Sequence, residues 1–170
     1  MNLEIWDLYD KNRKIIGEQI RGEKLPQNTF HLVVHVWIKN KDGKYLISQR
    51  NAKRKTHPLM WECPGGAVLK GESSLEAAVR ETMEEVGIDL KDRKGQLLFS
   101  KIRKSEGKMT SDNILDVYIF EYDGKISLEN ATTDEVAQAK WLDVEEIKDL
   151  YKSGEMVKSL YYFFDKIATS

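Results

Sequence analysis

The stretch that decides the fold is GGAVLKGESSLEAAVRETMEEVGI, which runs from Gly65 to Ile88. Ser73 and Glu76 stand in the S-x-x-E pattern of a capping box, in which each side chain bonds the other residue's backbone N–H at a helix start. Gly87 is the residue type that most readily takes the left-handed conformation at a helix C-terminus. These signals predict a helix between Ser73 and Gly87, preceded by a glycine-rich loop.

The predicted helix has an apolar stripe and an acidic face. At about 100° per residue, Glu81, Glu84 and Glu85 fall together, opposite the apolar stripe. The stripe consists of Leu75, Ala78, Val79, Thr82, Met83 and Val86. Like charges at this spacing repel each other by roughly a few tenths of a kcal/mol per pair. A lone E-x-x-E-E run is most often a solvated surface, but Mg²⁺ and Mn²⁺ prefer carboxylate oxygen, so a metal ion over these side chains is the alternative.

Two further residues and the loop complete the candidate site. Arg80 lies next to Glu81 and can hold a carboxylate through a bidentate contact, for which Glu72 is the nearest candidate before the helix. The glycines of the loop allow its backbone to approach a metal ion or a phosphate closely. Arg80 is therefore a candidate catalytic residue together with the glutamates.

The complete spacing resembles the Nudix box of the MutT-like hydrolases. The matching residues, separated by five, seven, two and one positions, are Gly66, Glu72, Arg80-Glu81, Glu84-Glu85 and Gly87-Ile88. Every charged and glycine position of the pattern is matched within residues 66–88. One position departs, since Thr82 stands where the pattern prefers an aliphatic residue. Thr82 lies on the predicted buried stripe, so the departure concerns packing more than chemistry.

The resemblance implies a fold, a reaction and a set of residues. The fold is an α/β (α+β) Nudix-type α/β/α sandwich with a mixed sheet. The reaction is the Mg²⁺- or Mn²⁺-dependent hydrolysis of a diphosphate linked to another group X. Glu81 and Glu85 are implied as metal ligands, Glu84 as a third ligand or water-orienting group, and Gly66 as a carbonyl ligand. An acidic residue before the Trp-containing strand, here Glu135, is implied as an extra ligand or base, with a plain turn residue as the alternative; which glutamate is the base stays open.

The segments around the box predict the rest of the fold. Strands are expected for FHLVVHVWIKN, YLISQR, GQLLFSKIRK, NILDVYIFEYDG and EVAQAKWLDV, with an N-terminal hairpin over about 1–25. Helices are expected for VEEIKDLYKSG and EMVKSLYYFFDKIA, and irregular backbone for WECPGGAVLKGE. This order predicts helices packed on a mixed sheet. Neither a linker nor a repeat divides the chain, so residues 1–170 are predicted to form a single domain.

The segment FHLVVHVWIKNKDGKYLISQRNAKRKTHPLMWE resembles the isopentenyl diphosphate isomerase branch of the same fold, and His31 matches that branch's histidine before the strand. The branch places a catalytic cysteine and a metal-binding histidine just before the box glutamate, where this chain has Gly65, Gly66 and Ala67. Cys63 lies two residues too early. Hydrolysis is therefore favoured over an isomerase-like proton shift, which remains an alternative together with a non-catalytic nucleotide-sensing module.

A basic loop precedes the glycines. Arg50, Arg54 and Lys55 are candidates to bind the phosphate farther from the metal, because arginine forks match phosphate oxygens. The backbone of Gly65 and Gly66 is the candidate for contacts to the nearer phosphate. The alternative for the basic side chains is an ordinary solvated loop.

Composition limits the class of protein. The chain has 170 residues, 41% hydrophobic and 32% charged, with a formal net charge of -1. These values favour a soluble globular protein whose main partner is neither a nucleic acid polymer nor a membrane. The resemblance implies a small-molecule diphosphate as the partner. One cysteine allows no intramolecular disulfide, which predicts a reducing compartment and hence the cytoplasm. Whether the hairpin pairs two copies into a homodimer stays open.

Overall fold

The protein is a mixed sheet with helices on both faces, and the computed structural model describes residues 3–106 and 111–169. The strands are Ile5–Tyr9 (β1), Ile15–Ile20 (β2), His31–Lys39 (β3), Tyr45–Arg50 (β4), Trp61–Glu62 (β5), Gly65–Ala67 (β6), Gln96–Arg103 (β7), Asn113–Glu121 (β8) and Val136–Leu142 (β9). The helices are Ser74–Val86 (α1), Val144–Lys152 (α2) and Tyr162–Lys166 (α3). Within the described ranges, none of them is long and apolar enough to span a membrane.

The main sheet is centred on β3. Its hydrogen-bonded order is β5-β4-β3-β8-β7, with β6 beside β3 and β9 beside β4. β3 runs parallel to β8, from the pair His31 and Asn113 to the pair Lys39 and Glu121, and antiparallel to β4 and β6. A parallel pair needs a crossover connection, and α1 lies in the chain between these two strands. The predicted mixed sheet is confirmed.

Side chains alternate along β3 between two separate cores. Val34 and Val36 pack with Ala77 of α1 in one core. Trp37 points to the opposite face, where its ring stacks on Phe163 of α3 with the centroids 4.6 Å apart. The sheet is therefore covered by a helical layer on each side, which is the predicted sandwich.

Helix α1 begins and ends as predicted but is rotated about its axis. The Ser73 capping box is present, and Gly87 has a φ of 69° in the left-handed region. Leu75 was expected in the buried stripe but is 42% exposed, whereas Glu85 was expected on the opposite face but is only 6% exposed. The buried face of α1 is formed by Ser74, Ala77, Ala78, Thr82, Glu85 and Val86. Both expectations were wrong, and the second matters for the site.

The glycine segment is more regular than expected. It contains two short strands, β5 and β6, and the prediction of irregular backbone was wrong at these positions. Gly65 lies opposite His35 in the β3–β6 pair, and a Cβ at Gly65 would overlap the carbonyl oxygen of Val34. Glycine in a strand often marks such a close backbone approach. Because Gly65 has no side chain, β6 can lie directly against β3.

The C-terminal segment pairs with β5 before it becomes helical. The backbone N–H of Trp61 donates to the carbonyl of Glu155 at 2.8 Å, and the Trp61 carbonyl accepts from the N–H of Val157 at 3.0 Å. These bonds keep residues 155–157 extended. The helix predicted over EMVKSLYYFFDKIA is therefore shortened to a 3-10 turn, Lys158–Tyr161, followed by α3.

An ion pair between the exposed Arg13 and the buried Asp116 fastens the N-terminal hairpin of β1 and β2 to the main sheet. Arg13, with a φ of 65° in the hairpin turn, donates from Nη1 to Oδ1 of Asp116 at 2.8 Å and from Nη2 to the second oxygen. The Asp116 side chain has no exposed surface and also accepts from Ser100. Burial acts to raise the pKa of Asp116, but the bonds from Arg13 and Ser100 hold it below its usual value. A two-stranded hairpin is marginally stable alone, so this anchor matters for its position.

We expect Arg13→Met to lower the free energy of unfolding by about 2–3 kcal/mol at pH 7, because it leaves the Asp116 charge buried without a counter-ion. The contribution of Asp116 is present above its ordinary pKa of 3.8 and is lost as pH falls through the lower folded value. The difference from wild type should therefore shrink between pH 7 and pH 3 in urea denaturation. Arg21→Met, which breaks a surface pair with Glu4, is the control and should cost less than about 1 kcal/mol. Equal losses of unfolding free energy in the two variants would show that the pair of Arg13 and Asp116 does not anchor the hairpin.

Candidate active site

The guanidinium of Arg80 lies at the centre of the predicted site. Its Nε and Nη2 donate to the two carboxylate oxygens of Glu72 at 2.8 and 3.0 Å, which is the bidentate contact expected from the sequence. Nη2 also donates to the carbonyl of Ala67 at 3.0 Å. Nη1 donates to Glu81 at 2.9 Å and to Glu84 at 3.1 Å. One side chain therefore joins the glycine loop to three carboxylates of the box.

Glu85 is the carboxylate that Arg80 does not reach. It is buried against the glycine loop, where its Oε2 accepts from the backbone N–H of Gly65 at 3.3 Å. Burial raises the pKa of Glu85 well above its usual value, and the neighbouring charges of Glu62, Glu81 and Glu135 raise it further. No cationic side chain in residues 3–106 and 111–169 forms an ion pair with it. Glu85 is thus a buried acid that is surrounded by other carboxylates and has no cationic partner among the described residues.

Glu81 is pressed against the backbone of the loop. A Cβ at Gly66 would overlap the Glu81 carboxylate, so a larger residue there would force that side chain to move. Burial raises the pKa of Glu81 to about 7, although Arg80 acts to lower it. At neutral pH this carboxyl is therefore poised to gain or lose a proton, as a general base requires.

The basic loop contributes two arginines that are paired with carboxylates. Arg50 donates from Nη1 to Glu62 at 2.5 Å and from Nε to the carbonyl of Thr56 at 2.9 Å. Arg54 forms an ion pair with Glu135 at 2.9 Å. Both arginines are therefore beside the acidic cluster.

Lys55 differs from these arginines. It is exposed, and no hydrogen bond or ion pair joins it to another described residue. The structure therefore does not bring Lys55 into the cluster, although it was a candidate to bind phosphate.

The loop that carries Glu135 is held on the end of α1. The backbone N–H groups of Thr132 and Thr133 both donate to the carbonyl of Glu84, at 3.0 and 3.1 Å. This arrangement brings Glu135 near enough to Glu81 and Glu85 to raise the pKa of both. The sequence candidate before the Trp-containing strand thus lies beside the box.

Glu62 was missed by the sequence analysis. Its carboxylate bonds Arg50 and raises the pKa of Glu85, which places it inside the acidic cluster. Burial raises the pKa of Glu62 as well, while Arg50 acts to lower it. The signal available in the sequence was its position directly before the glycine loop, in WECPGG.

A small cavity of about 130 Å³ opens beside the loop, and its lining includes His35, Glu62, Cys63 and Gly66. Burial raises the pKa of the Cys63 thiol well above its usual value, so the thiol stays protonated at neutral pH. His35 contacts the hydroxyl of Tyr162 through Nδ1 at 2.7 Å. Burial lowers the pKa of His35 to about 3, so Cys63 and His35 provide neither a thiolate nor an imidazolium at neutral pH.

His31 lies at the start of β3 and stacks on Trp6, with the ring centroids 4.1 Å apart. Its Nε2 forms a hydrogen bond with the hydroxyl of Ser111 at 3.2 Å. His31 therefore contacts the N-terminal hairpin through Trp6 of β1.

The carboxylates fit a divalent metal ion by chemistry. Within the described ranges, no three His, Cys, Asp or Glu side chains converge as they stand on one point that could hold a metal. Glu81 and Glu84 are turned toward Arg80 instead. Glu85, however, is buried among other carboxylates without a cationic partner, and oxygen donors are what Mg²⁺ and Mn²⁺ prefer. The residues that could hold such an ion are Glu81, Glu84, Glu85 and the carbonyl of Gly66.

We expect Arg80→Lys to lower the free energy of unfolding by about 1–3 kcal/mol, because an ammonium cannot reproduce the fork that bonds Glu72 and the Ala67 carbonyl together. Urea denaturation at pH 7 measures the change. Arg93→Lys is the matched control, since Arg93 contacts the Tyr122 ring as a cation and lysine can do the same. If Arg80→Lys and the control have the same free energy of unfolding, Arg80 does not hold the loop and the helix together.

Comparison with known proteins places this geometry in a family. The NUDIX domain family model matches residues 29–165. An uncharacterized Nudix hydrolase of Listeria monocytogenes is 35% identical over 167 residues, covering 97% of this chain and 94% of the relative.

Solved structures share the fold. The crystal structure of DR0079 from Deinococcus radiodurans has a TM-score of 0.71 at 24% identity and covers 91% of this chain and 92% of that one. A bifunctional NMN adenylyltransferase/ADP ribose pyrophosphatase from Francisella tularensis, complexed with AMP and a Mn ion, has a TM-score of 0.61 at 23% identity, covering 80% of this chain and 40% of that one. With the family match and the Listeria relative, the chain belongs to the NUDIX domain family and is a Nudix pyrophosphohydrolase.

Proposed function

We propose that the protein hydrolyses a phosphoanhydride bond in a nucleoside diphosphate linked to another moiety X, or in a related small diphosphate, with Mg²⁺ or Mn²⁺ as cofactor. The observation that carries this proposal is the buried carboxylate of Glu85, which lies among Glu62, Glu81 and Glu135 without a cationic partner in the described residues. Negative charge buried in this way is costly unless a cation accompanies it. The Mn ion in the Francisella tularensis structure supports the choice of metal.

The metal is proposed to be held by Glu81, Glu85, the Gly66 carbonyl and Glu84, the last either as a ligand or as the group that orients water. When bound, such an ion neutralises the diphosphate and lowers the pKa of a water molecule. Arg80 positions Glu81 and Glu84 and keeps Glu72 on the loop. The backbone of Gly65 and Gly66 gives the phosphate close access, because neither residue has a side chain.

Proton transfer is assigned to the glutamates. Without a bound ion, burial raises the pKa of Glu81 to about 7, and Glu81 is one of the proposed bases. A metal ion on its carboxylate would lower that pKa. Glu84 and Glu135 are the other proposed bases, and both lie beside Glu81. Which of them takes the proton is decided by pH profiles of the three Gln variants.

Phosphate binding is assigned to the arginines of the basic loop. Arg50 and Arg54 are paired with Glu62 and Glu135, so a substrate phosphate would compete with these carboxylates. A proton or a cation taken up by the acidic cluster weakens that competition and frees the arginines for phosphate. Lys55 is exposed nearby and is proposed only as a secondary contact.

The remaining parts of the proposal concern the setting of the enzyme. We propose one domain over residues 1–170, a small-molecule diphosphate as the partner, and a cytoplasmic location. Neither a nucleic acid polymer nor a membrane is part of the proposal, and a homodimer through the N-terminal hairpin is left to measurement.

The test is a turnover screen with Mg²⁺ and Mn²⁺ over a panel of nucleotide sugars, dinucleoside polyphosphates, nucleotides and prenyl diphosphates, followed by anion-exchange chromatography. Glu85→Gln should lower kcat by at least about 100-fold, because a metal ligand is lost. Glu145→Gln, a carboxylate with a 78% exposed side chain on α2, is the control and should keep full turnover. Binding without turnover across the panel would favour the nucleotide-sensing module, and proton exchange into an allylic diphosphate would favour the isomerase.

A second readout separates metal binding from catalysis. We expect Glu85→Gln to raise the thermal stability of the metal-free protein, because a neutral amide removes the repulsion among buried carboxylates and can still accept from the Gly65 N–H. Mn²⁺ should stabilise the wild type and the control in thermal unfolding but not Glu85→Gln. An equal Mn²⁺-induced shift in all three proteins would remove Glu85 from the metal site.

A further inference from the structure

A hydrogen-bonded chain of side chains runs from the core on the sheet face opposite α1 to the cavity beside the glycine loop. The Nε1 of Trp37 donates to the hydroxyl of Tyr162 at 3.0 Å, and the same hydroxyl lies 2.7 Å from the Nδ1 of His35. Trp37 and Tyr162 are buried, whereas His35 lines the cavity. The chain therefore connects a rigid part of the core to an open site.

The position of the Tyr162 hydroxyl proton follows from its two contacts. The indole N–H of Trp37 is a donor only, so the Tyr162 oxygen accepts that bond. In the part of the chain that the structure describes, His35 Nδ1 is then the one acceptor left for the hydroxyl proton. Burial raises the pKa of Tyr162 well above its usual value, so the hydroxyl keeps its proton. Since buried donors are nearly always paired, Tyr162 donates to Nδ1.

The bond at Nδ1 decides where the imidazole of His35 carries its own proton. Burial, together with the charges of Arg103 and Lys101, lowers the pKa of His35 to about 3, so the ring is neutral at pH 7. A neutral imidazole that accepts at Nδ1 carries its proton on Nε2. Nε2 has no hydrogen-bond partner in residues 3–106 and 111–169, and it is not enclosed. His35 therefore presents a fixed N–H donor to a solute, and in this tautomer Nε2 is not a metal ligand.

This open donor lies beside the glycine loop. His35 is opposite Gly65 in the β3–β6 pair, and both residues line the cavity of about 130 Å³, as does Gly66. Antiparallel partners have Cα atoms about 4.5–5.5 Å apart, and Gly65 has no side chain to separate a ligand from the imidazole. A pocket for a whole ligand measures roughly 300–1,000 Å³, so this cavity admits one group of a larger ligand. A group that contacts the loop backbone there is within reach of His35.

Charges of both signs surround the cavity. Arg103 and Lys101 of β7 supply positive charge that acts on His35. The lining itself includes Glu62, which is paired with Arg50. An oxyanion in the cavity is attracted by the cationic side chains, and a cation that accompanies it offsets the carboxylate. A diphosphate with a bound metal ion has both properties.

We propose that the Nε2–H of His35 donates a hydrogen bond to a non-bridging oxygen of the substrate phosphate at the glycine loop. Tyr162 and Trp37 act through His35 and are positioning residues. This inference rests on the proposed function, because it takes the glycine loop as the position of the diphosphate. A phosphoryl oxygen suits the site, since its several lone pairs allow it to accept from His35 while it also contacts a cation.

The first test uses two amides that each retain one half of the imidazole. His35→Asn places an oxygen near the Nδ1 position and can still accept from Tyr162, but it has no donor at the Nε2 position. His35→Gln can extend an amide N–H toward the Nε2 position. With a substrate of the turnover screen, kcat/KM should fall about 10-fold in His35→Asn, mainly through KM, and stay within about 3-fold of wild type in His35→Gln. Equal kcat/KM values in wild type and His35→Asn would overturn the proposal.

The second test concerns the positioning chain. Tyr162→Phe removes the donor to Nδ1, so His35 can shift its proton away from Nε2, and KM should rise. In the His35→Asn background the same change should raise KM no further, because the two residues act as one unit. Tyr161→Phe is the matched control, since Tyr161 is adjacent and 53% exposed, and it should leave KM unchanged. If Tyr162→Phe lowers the unfolding temperature without changing KM, its role is structural and the positioning chain is rejected.

Nitrogen-15 NMR of the histidine rings reads the tautomer directly, with His35→Asn used to assign the signals. Wild type should carry the His35 proton on Nε2, and titration with methylenediphosphonate and Mg²⁺ should move the Nε2 signal more than the Nδ1 signal. A proton on Nδ1, or an Nε2 signal that the diphosphonate leaves in place, would overturn the proposal.

The two readouts separate this inference from the proposed function. A shift of the His35 Nε2 signal by the diphosphonate, without turnover of any member of the panel, would keep the phosphate contact and reject the hydrolase. Turnover that is unaffected by His35→Asn would keep the hydrolase and reject the contact.

Discussion

The contact between Arg80 and Glu72 is the interaction on which the site depends. It joins α1 to the glycine loop, and the same guanidinium also bonds the Ala67 carbonyl. These bonds fix the separation between the loop and the helix. A side chain at Gly66 would displace the Glu81 carboxylate, which the same guanidinium bonds. The glycine and the arginine of the box thus act on the same carboxylate.

Arginines balance only part of the charge around this contact. Arg50 and Arg54 each pair with one carboxylate, while Arg80 is shared among Glu72, Glu81 and Glu84. Glu85 is left out, because α1 turns it under the loop, where only a backbone N–H reaches it. Buried negative charge without an accompanying cation is costly, so this surplus gives the cluster an affinity for a cation.

The sequence predicted the parts of the molecule that depend on local spacing. The capping box at Ser73, the stop at Gly87 and the bond from Arg80 to Glu72 all follow from intervals within one short segment, and each is present. The mixed sheet also followed from the order of the elements. Parts that depend on how elements meet were not readable. The burial of Glu85 reflects the rotation of α1 on the sheet, and Glu62 joins the cluster only because β5 lies beside β4.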